Sequence, residues 1–217
     1  MKISVAIDGP AGAGKSTIAK LVGKEHNLMY INTGAMYRAV ALKAKENNLS
    51  PEKVLELSNL IYDMEMHFEN DDLILNGINI QEKINTPTIS NIVSAYASIP
   101  EVRSILVKLQ RDMSSKFNVI MDGRDIGTVV LKDANLKIFL TANPEKRAKR
   151  RFDELKERNI ECSYEQILED IIARDYKDTN RAIDPLKRAD DAIEIDSTDL
   201  DINGVVNIIN DYIEKCR

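Results

Sequence analysis

Short apolar runs recur along the chain at Ile3–Ile7, Leu28–Ile31, Val119–Met121, Leu136–Leu140 and Ala192–Ile195. Runs this short and this apolar are what strands covered on both faces require. Between them lie longer stretches of helical character, beginning with Ser16–Glu25. The alternation predicts an α/β fold, a five-stranded parallel sheet with helices on both faces. Asp8, Asn32, Asp122, Thr141 and Asp196 follow the runs, so polar groups gather at the sheet edge where open α/β sheets bind ligands. Near the end of the chain Val205, Val206, Ile208, Ile209, Tyr212 and Ile213 fall at helical spacing. That spacing predicts a docking helix across 201–217.

Two intervals break this rhythm. Met64–Glu69, Leu73–Leu75 and Ile78–Ile80 are short pieces separated by Asn70-Asp71-Asp72 and Asn76-Gly77, and Asn-Gly is a strong tight-turn signal. A small antiparallel β insertion over 64–80 is expected. The interval 144–181 is densely charged and helical in character, with Lys146, Arg147, Lys149, Arg150 and Arg151 crowded together among Glu145, Asp153, Glu154 and Glu157. That mixture reads as a lid over a ligand or as a solvated helix face; a nucleic-acid patch is the third alternative.

The sharpest chemical signal follows the first run. Gly9-Pro10-Ala11-Gly12-Ala13-Gly14-Lys15-Ser16 has the spacing G-x-x-x-x-G-K-[ST] of a phosphate-binding loop, set between a strand and a helix. Glycines let successive N–H groups turn onto phosphate oxygens, Lys15 adds a cation, and the Ser16 hydroxyl can reach a magnesium ion. A helix starting near Lys15 points its positive end at the same anion. A nucleoside triphosphate is the expected ligand. Thr33-Gly34-Ala35-Met36-Tyr37-Arg38, after the second run, adds a hydroxyl, a phenol and a guanidinium suited to a second, phosphorylated ligand. Asp122-Gly123-Arg124-Asp125 and the segment Arg174–Arg181 add arginines beside carboxylates.

Bulk properties narrow the classes. A chain of 217 residues with 43% hydrophobic content suits one globular domain with small insertions. The net charge of −5 argues against a general nucleic-acid binder, which needs a positive field. No stretch has the apolar length of a membrane span, and the segment 1–8 is too short for a signal peptide, so a cytoplasmic protein is expected. Cys162 and Cys216 lack metal or redox spacing, and no role is expected for them. His26 and His67 stand apart from every motif, so no histidine base is expected. The guanine-selecting string N-K-x-D of GTP switches does not occur.

Together, Gly9–Thr17, Thr33–Arg38, Asp122-Gly123-Arg124-Asp125-Ile126-Gly127-Thr128 and Asp178-Thr179-Asn180-Arg181 resemble the bacterial cytidylate kinases. The similarity runs nearly end to end and includes the place of the antiparallel insertion. It implies a P-loop NTPase fold in a single domain over 1–217, with a monophosphate-binding subdomain at 33–105 and a lid at 146–162. It also implies transfer of the γ-phosphoryl group of ATP, with Mg2+, to CMP or dCMP, by a monomer that binds neither nucleic acid nor membrane. By the same resemblance Gly9, Pro10, Ala11, Gly12, Ala13, Gly14, Lys15, Ser16 and Thr17 bind the ATP phosphates, and Ser16 and Asp122 attend the metal. Thr33, Tyr37, Arg38, Arg124 and Arg181 hold the acceptor phosphate. Ser94, Arg103 and Asp125 match base-reading positions, and Arg174 and Asp178 match positions facing the ribose. Lys15, Arg124, Arg150 and Arg181 are implied in catalysis, with Arg147, Arg150, Arg151 and Arg158 on the lid segment.

The residue types suit that chemistry. Phosphoryl transfer depends on alignment and charge neutralisation, which lysine, arginines and magnesium supply. Cytosine donates from its amine and accepts at its ring nitrogen, the reverse of uracil. A carboxylate with an arginine would therefore leave buried groups unpaired against UMP. Read from its surroundings in the sequence alone, Arg103 is a solvated helix residue following Pro100, and the acceptor stays open among other small molecules.

Overall fold

A computed structural model describes residues 2–157 and 159–216. In chain order its elements are β1 (Ser4–Asp8), α1 (Lys15–His26), β2 (Met29–Asn32), α2 (Thr33–Glu46), α3 (Val54–Tyr62), β3 (Met66–Glu69), β4 (Asp72–Leu75), β5 (Ile78–Asn79) and α4 (Gln81–Ile84). There follow α5 (Pro87–Ala97), α6 (Pro100–Lys116), β6 (Val119–Gly123), a π-helical turn (Ile126–Val130), β7 (Leu136–Thr141), α7 (Pro144–Glu157), α8 (Tyr164–Asn180), β8 (Ile193–Asp196) and α9 (Ile202–Lys215).

The main sheet has the order β2-β6-β1-β7-β8, and every neighbouring pair is parallel. Side chains alternate across a strand, and here the alternation splits the core in two. Val5, Ile7, Ile138 and Leu140 face Ile18 and Val22 of α1 and Val205 and Ile209 of α9. Ala6, Ile31 and Met121 turn the other way, toward Met36 and Val40 of α2 and Leu106 of α6. The helix expected across 201–217 runs Ile202–Lys215, with the Asp201 side chain capping it by accepting from Gly204 N at 2.7 Å. Arg217 lies outside the described residues.

The insertion is a three-stranded antiparallel sheet, β3-β4-β5. Both turns have left-handed central residues, Asn70 and Asp71 at φ 48° and 68° and Asn76 and Gly77 at 49° and 76°, which matches the right-handed twist of the flanking strands. Met66, Leu73 and Leu75 join the same cluster as Leu57 and Ile84. The small sheet is therefore buttressed by α2 and α4 and shares the cluster of the main sheet.

Strand direction sets the place of the site. All five strands of the main sheet end on one edge, and β6 lies between β1 and β2, with Ile7 and Asn32 both in register with Asp122. The segments after β1, β6 and β2 therefore emerge side by side. The charged interval 144–181 resolves into α7 and α8, which meet in an edge-on contact of Phe152 with Tyr164. Exposed pairs such as Lys149 with Asp153 fit a solvated face. Arg147 does not, being 3% exposed, because its guanidinium has buried partners described below. Arg158 lies outside the described residues.

Gly9 and Gly14 sit at left-handed φ values of 150° and 89°. At Gly9 a Cβ would lie 2.0 Å from the carbonyl oxygen of Leu140 on β7, so the loop leaves the sheet through a gap only glycine fits. Gly9→Ala is expected to lower unfolding free energy by about 3 kcal/mol through this clash. Urea denaturation monitored by circular dichroism measures it, and a midpoint equal to wild type would contradict the close approach.

Candidate active site

A cavity of about 610 Å3 opens where the segments after β1, β2 and β6 meet the C-terminal half of α8. On one side stands the phosphate-binding loop. Lys15 is buried, and its Nζ donates to Pro10 O at 2.6 Å, within its own loop. Burial, with Arg124 nearby, pushes this ammonium well below the usual lysine range. A cation in that condition gains most from an incoming anion. Ser16 Oγ donates to Asp122 Oδ2 at 2.9 Å, Tyr30 Oη donates to Asp122 Oδ1 at 2.8 Å, and Thr33 Oγ1 donates to the Asp122 carbonyl at 2.8 Å. Asp122 is thus fixed at both carboxylate oxygens and at its backbone.

The middle of the cavity is lined by arginines. Arg124 Nε donates to Asp178 Oδ2 at 2.7 Å. The Nε atoms of Arg38 and Arg174 are buried with no hydrogen-bond partner. Burial lowers the affinity of both guanidinium groups for their protons, with Arg174, also beside Arg124, brought to about 10. Buried donors are nearly always satisfied, so two orphans beside a lysine describe a site shaped for a multiply charged anion. Thr33, Tyr37 and Ser94 complete this wall.

At the far end, Arg103 on α6 is 2% exposed, which overturns its reading as a solvated helix residue. Its Nη2 donates to Asp125 Oδ2, its Nε donates to Asp184 Oδ2 at 2.8 Å, and its Nη1 donates to Ala97 O at 3.2 Å. The guanidinium also sits 5.5 Å from the centroid of the Tyr37 ring, a cation–π distance. Arg181 Nη2 donates to Asp125 Oδ1 at 3.1 Å. Burial raises the Asp125 carboxyl, and Arg103 and Arg181 oppose that rise.

Among the residues singled out in the sequence, Ala11, Gly12, Lys15, Ser16, Asp122, Arg124, Asp125 and Arg181 line this one cavity together with Arg38, Arg174, Asp178 and the wall residues above. Gly9, Pro10, Ala13, Gly14 and Thr17 shape the loop and its helix without lining it, and Arg103 stands behind Asp125. Arg150 points elsewhere, its Nη2 donating to Ser197 O at 2.6 Å just past β8. Arg151 pairs with Glu154 at 2.8 Å. Arg147 donates to Ala142 O and Ala11 O, both at 2.8 Å, and pairs with Asp175 at 2.6 Å, fastening the phosphate loop to α7 and α8. Tyr30, Asp175 and Asp184 were missed, because single polar residues in a strand, helix or loop carry no spacing signal.

The family model for cytidylate kinase matches residues 5–215. The chain belongs to the cytidylate kinase family. It is 66% identical over 213 residues to the cytidylate kinase of Clostridium perfringens (strain SM101 / Type A), covering 98% of each chain. It is 57% identical over 215 residues to that of Clostridium acetobutylicum, covering 99% of each. Among solved structures it resembles an uncharacterized protein from Eubacterium ventriosum, with TM-score 0.56, 13% identity and 99% of each chain covered. Shikimate kinase from Bacteroides thetaiotaomicron gives a TM-score of 0.51 at 12% identity, again over 99% of each chain. These two likenesses are of fold alone, and the P-loop NTPase fold is the one that the resemblance to the cytidylate kinases implies.

In this member of the cytidylate kinase family one buried acid stands behind the phosphate loop. Asp8 accepts from Ile126 N and Gly127 N, both at 2.7 Å. Burial pushes its carboxyl from 3.8 up to about 6, against the pull of those two amides. The native state then holds the Asp8 proton more tightly than the unfolded state, so this group adds stability as pH falls from 6 toward 3.8. Asp178, which burial alone would raise, is held below 3.8 by Arg124, and the stability it adds is lost as pH falls below that value. Carbon-detected NMR titration of the carboxyl groups is expected to give an Asp8 midpoint near 6 and an Asp178 midpoint below 3.8. An Asp8 midpoint at 3.8 would contradict its burial.

Proposed function

We propose that this chain transfers the γ-phosphoryl group of ATP to CMP and dCMP. One observation carries the reading. A single cavity joins a phosphate-binding loop, a wall of arginines with orphaned donors, and a buried carboxylate–arginine pair at the far end. Those parts correspond to a donor phosphate chain, an acceptor phosphate and a base with complementary hydrogen-bonding edges. The kinship with proteins named cytidylate kinase supports the same acceptor.

In this reading Lys15 leaves Pro10 O for the phosphates of ATP and follows the group being transferred. Arg38, Arg124 and Arg181, with Thr33 and Tyr37, hold the acceptor phosphate in line. Charge spread over the equatorial oxygens meets cations already gathered in the cavity. Asp125 accepts from the cytosine amine, Arg103 and Ser94 complete the base edge, and Asp178 with Arg174 faces the sugar. Among the described residues no group of three or more histidine, cysteine or acidic side chains could hold a metal alone. That fits magnesium, which binds through one or two protein groups plus phosphate oxygens and water. Ser16 and Asp122, already hydrogen-bonded to each other, would hold it, and bound magnesium would offset charge on the donor phosphates.

The segment 33–105 would carry the monophosphate and 146–162 would act as the lid that excludes water. For Arg150 to take part it would have to exchange Ser197 for the nucleotide. Among the described residues no helix is long and apolar enough to cross a membrane, and the protein is read as a cytoplasmic monomer that does not act on nucleic acid.

ADP release with ATP, magnesium and each nucleoside monophosphate in turn is expected to be fastest with CMP and dCMP. Equal or faster turnover of UMP or AMP would refute the acceptor. Lys15→Ala is expected to lower kcat about a thousandfold, with CMP affinity by calorimetry changed less than about threefold. Turnover near wild type in that variant would remove Lys15 from the mechanism.

A further inference from the structure

The charged cluster at the far end of the cavity holds one residue that no sequence motif contains. Asp184 lies in the loop after α8 with φ 47°, a left-handed value that aspartate and asparagine tolerate better than most residues. Both its backbone and its side chain are engaged. Its carbonyl oxygen accepts from Arg181 Nε at 2.6 Å and from Arg181 Nη2, while its Oδ2 accepts from Arg103 Nε at 2.8 Å.

Arg103 therefore meets two carboxylates on two edges, Asp184 at Nε and Asp125 at Nη2. An arginine facing one buried carboxylate normally forms a two-pronged fork with it, taking both oxygens. Here Asp184 occupies the Nε prong, and Arg181 holds the other oxygen of Asp125. The four side chains, two arginines and two aspartates, balance in charge, which lowers the cost of burying Arg103. Remove the Asp184 carboxylate, and the buried Nε of Arg103 loses its partner beside Asp125, to which Nη2 already donates. A fork onto Asp125 would then tie up the carboxylate that a base amine needs.

We propose that Asp184 is a positioning residue for the acceptor site: by holding Arg103 Nε it limits Arg103 to a single contact with Asp125, through Nη2, and so leaves acceptor capacity on Asp125 for the base amine. The proposal rests on the base-reading role given above to that pair. It predicts an effect on the acceptor and none on the ATP end, where Lys15, Ser16 and Asp122 make no contact with Asp184.

Two substitutions separate positioning from backbone effects. Asp184→Gly keeps the left-handed backbone and its carbonyl but deletes the carboxylate. Asp184→Asn tolerates the same φ and retains an oxygen for Arg103 Nε. Asp184→Gly is expected to raise KM for CMP about tenfold and cut the CMP:UMP preference by a similar factor, as loss of a hydrogen bond to a charged group does. Its kcat and KM for ATP should stay within about twofold. Calorimetric CMP binding without ATP should weaken in parallel, and Asp184→Asn should recover most of the loss. An unchanged CMP:UMP ratio in the glycine variant, or equal losses toward CMP and ATP with a lowered Tm, would overturn the proposal. If wild type prefers another monophosphate, the acceptor reading fails separately. The same variants assayed with that monophosphate then decide the role of Asp184, with lost preference supporting it and retained preference refuting it.

Discussion

The carboxylate of Asp8 accepting the backbone amides of Ile126 and Gly127 is the joint on which the rest of the site depends. Asp8 closes β1 and introduces the phosphate loop; the two amides begin the π-helical turn that follows Asp125. Parallel pairing brings Asp8 level with Gly123, and the carboxylate carries that alignment past the end of the sheet. The phosphate loop and the loop after β6 are thereby held to each other by buried hydrogen bonds. An in-line transfer between two bound nucleotides depends on this fixed spacing, since catalysis by alignment fails with displacements of about 1 Å.

On that joint the chain assembles cations at some cost to its own stability. Lys15 is buried against a carbonyl, Arg38 and Arg174 bury donors without acceptors, and Arg124 raises the charge of the same pocket. Buried polar groups left unpaired are destabilising. The arrangement becomes intelligible once an anion is counted as the missing partner: ligand binding to the native state alone stabilises it, and the cations need little rearrangement to receive it. It also explains how a chain of net charge −5 handles polyanions. Lysines and arginines line one concave surface, and acidic residues elsewhere set the total.

The sheet was legible because its information is local. A short, largely apolar run identifies each strand, and the observed strands of the main sheet differ from those runs by at most two residues at either end. The phosphate loop and the two insertion turns were legible for a related reason, since glycine and asparagine are needed where φ turns positive. Arg103 was not, because its burial depends on Asp125 and Asp184, which lie far along the chain. Tyr30 sits in a strand where an aromatic residue needs no explanation, yet its hydroxyl holds Asp122. Such residues acquire meaning only when the fold supplies their partners.

The arginines of α7 divide by the same logic, and the division bears on motion. Arg147 is locked to Ala11 of the phosphate loop, to Ala142 and to Asp175 on α8. The Ala11 amide also donates to Asp175, at 3.3 Å. Breaking a buried pair of this kind costs about 3 to 5 kcal/mol, too much for a step repeated at each turnover. The start of α7 is therefore fixed to the phosphate loop. Arg150, one turn on, is exposed and donates to Ser197, and Lys149 and Arg151 pair with acids on their own helix, exchanges that solvent makes cheap. The lid proposed above would then have to pivot beyond the Arg147–Asp175 lock, leaving the phosphate loop in place.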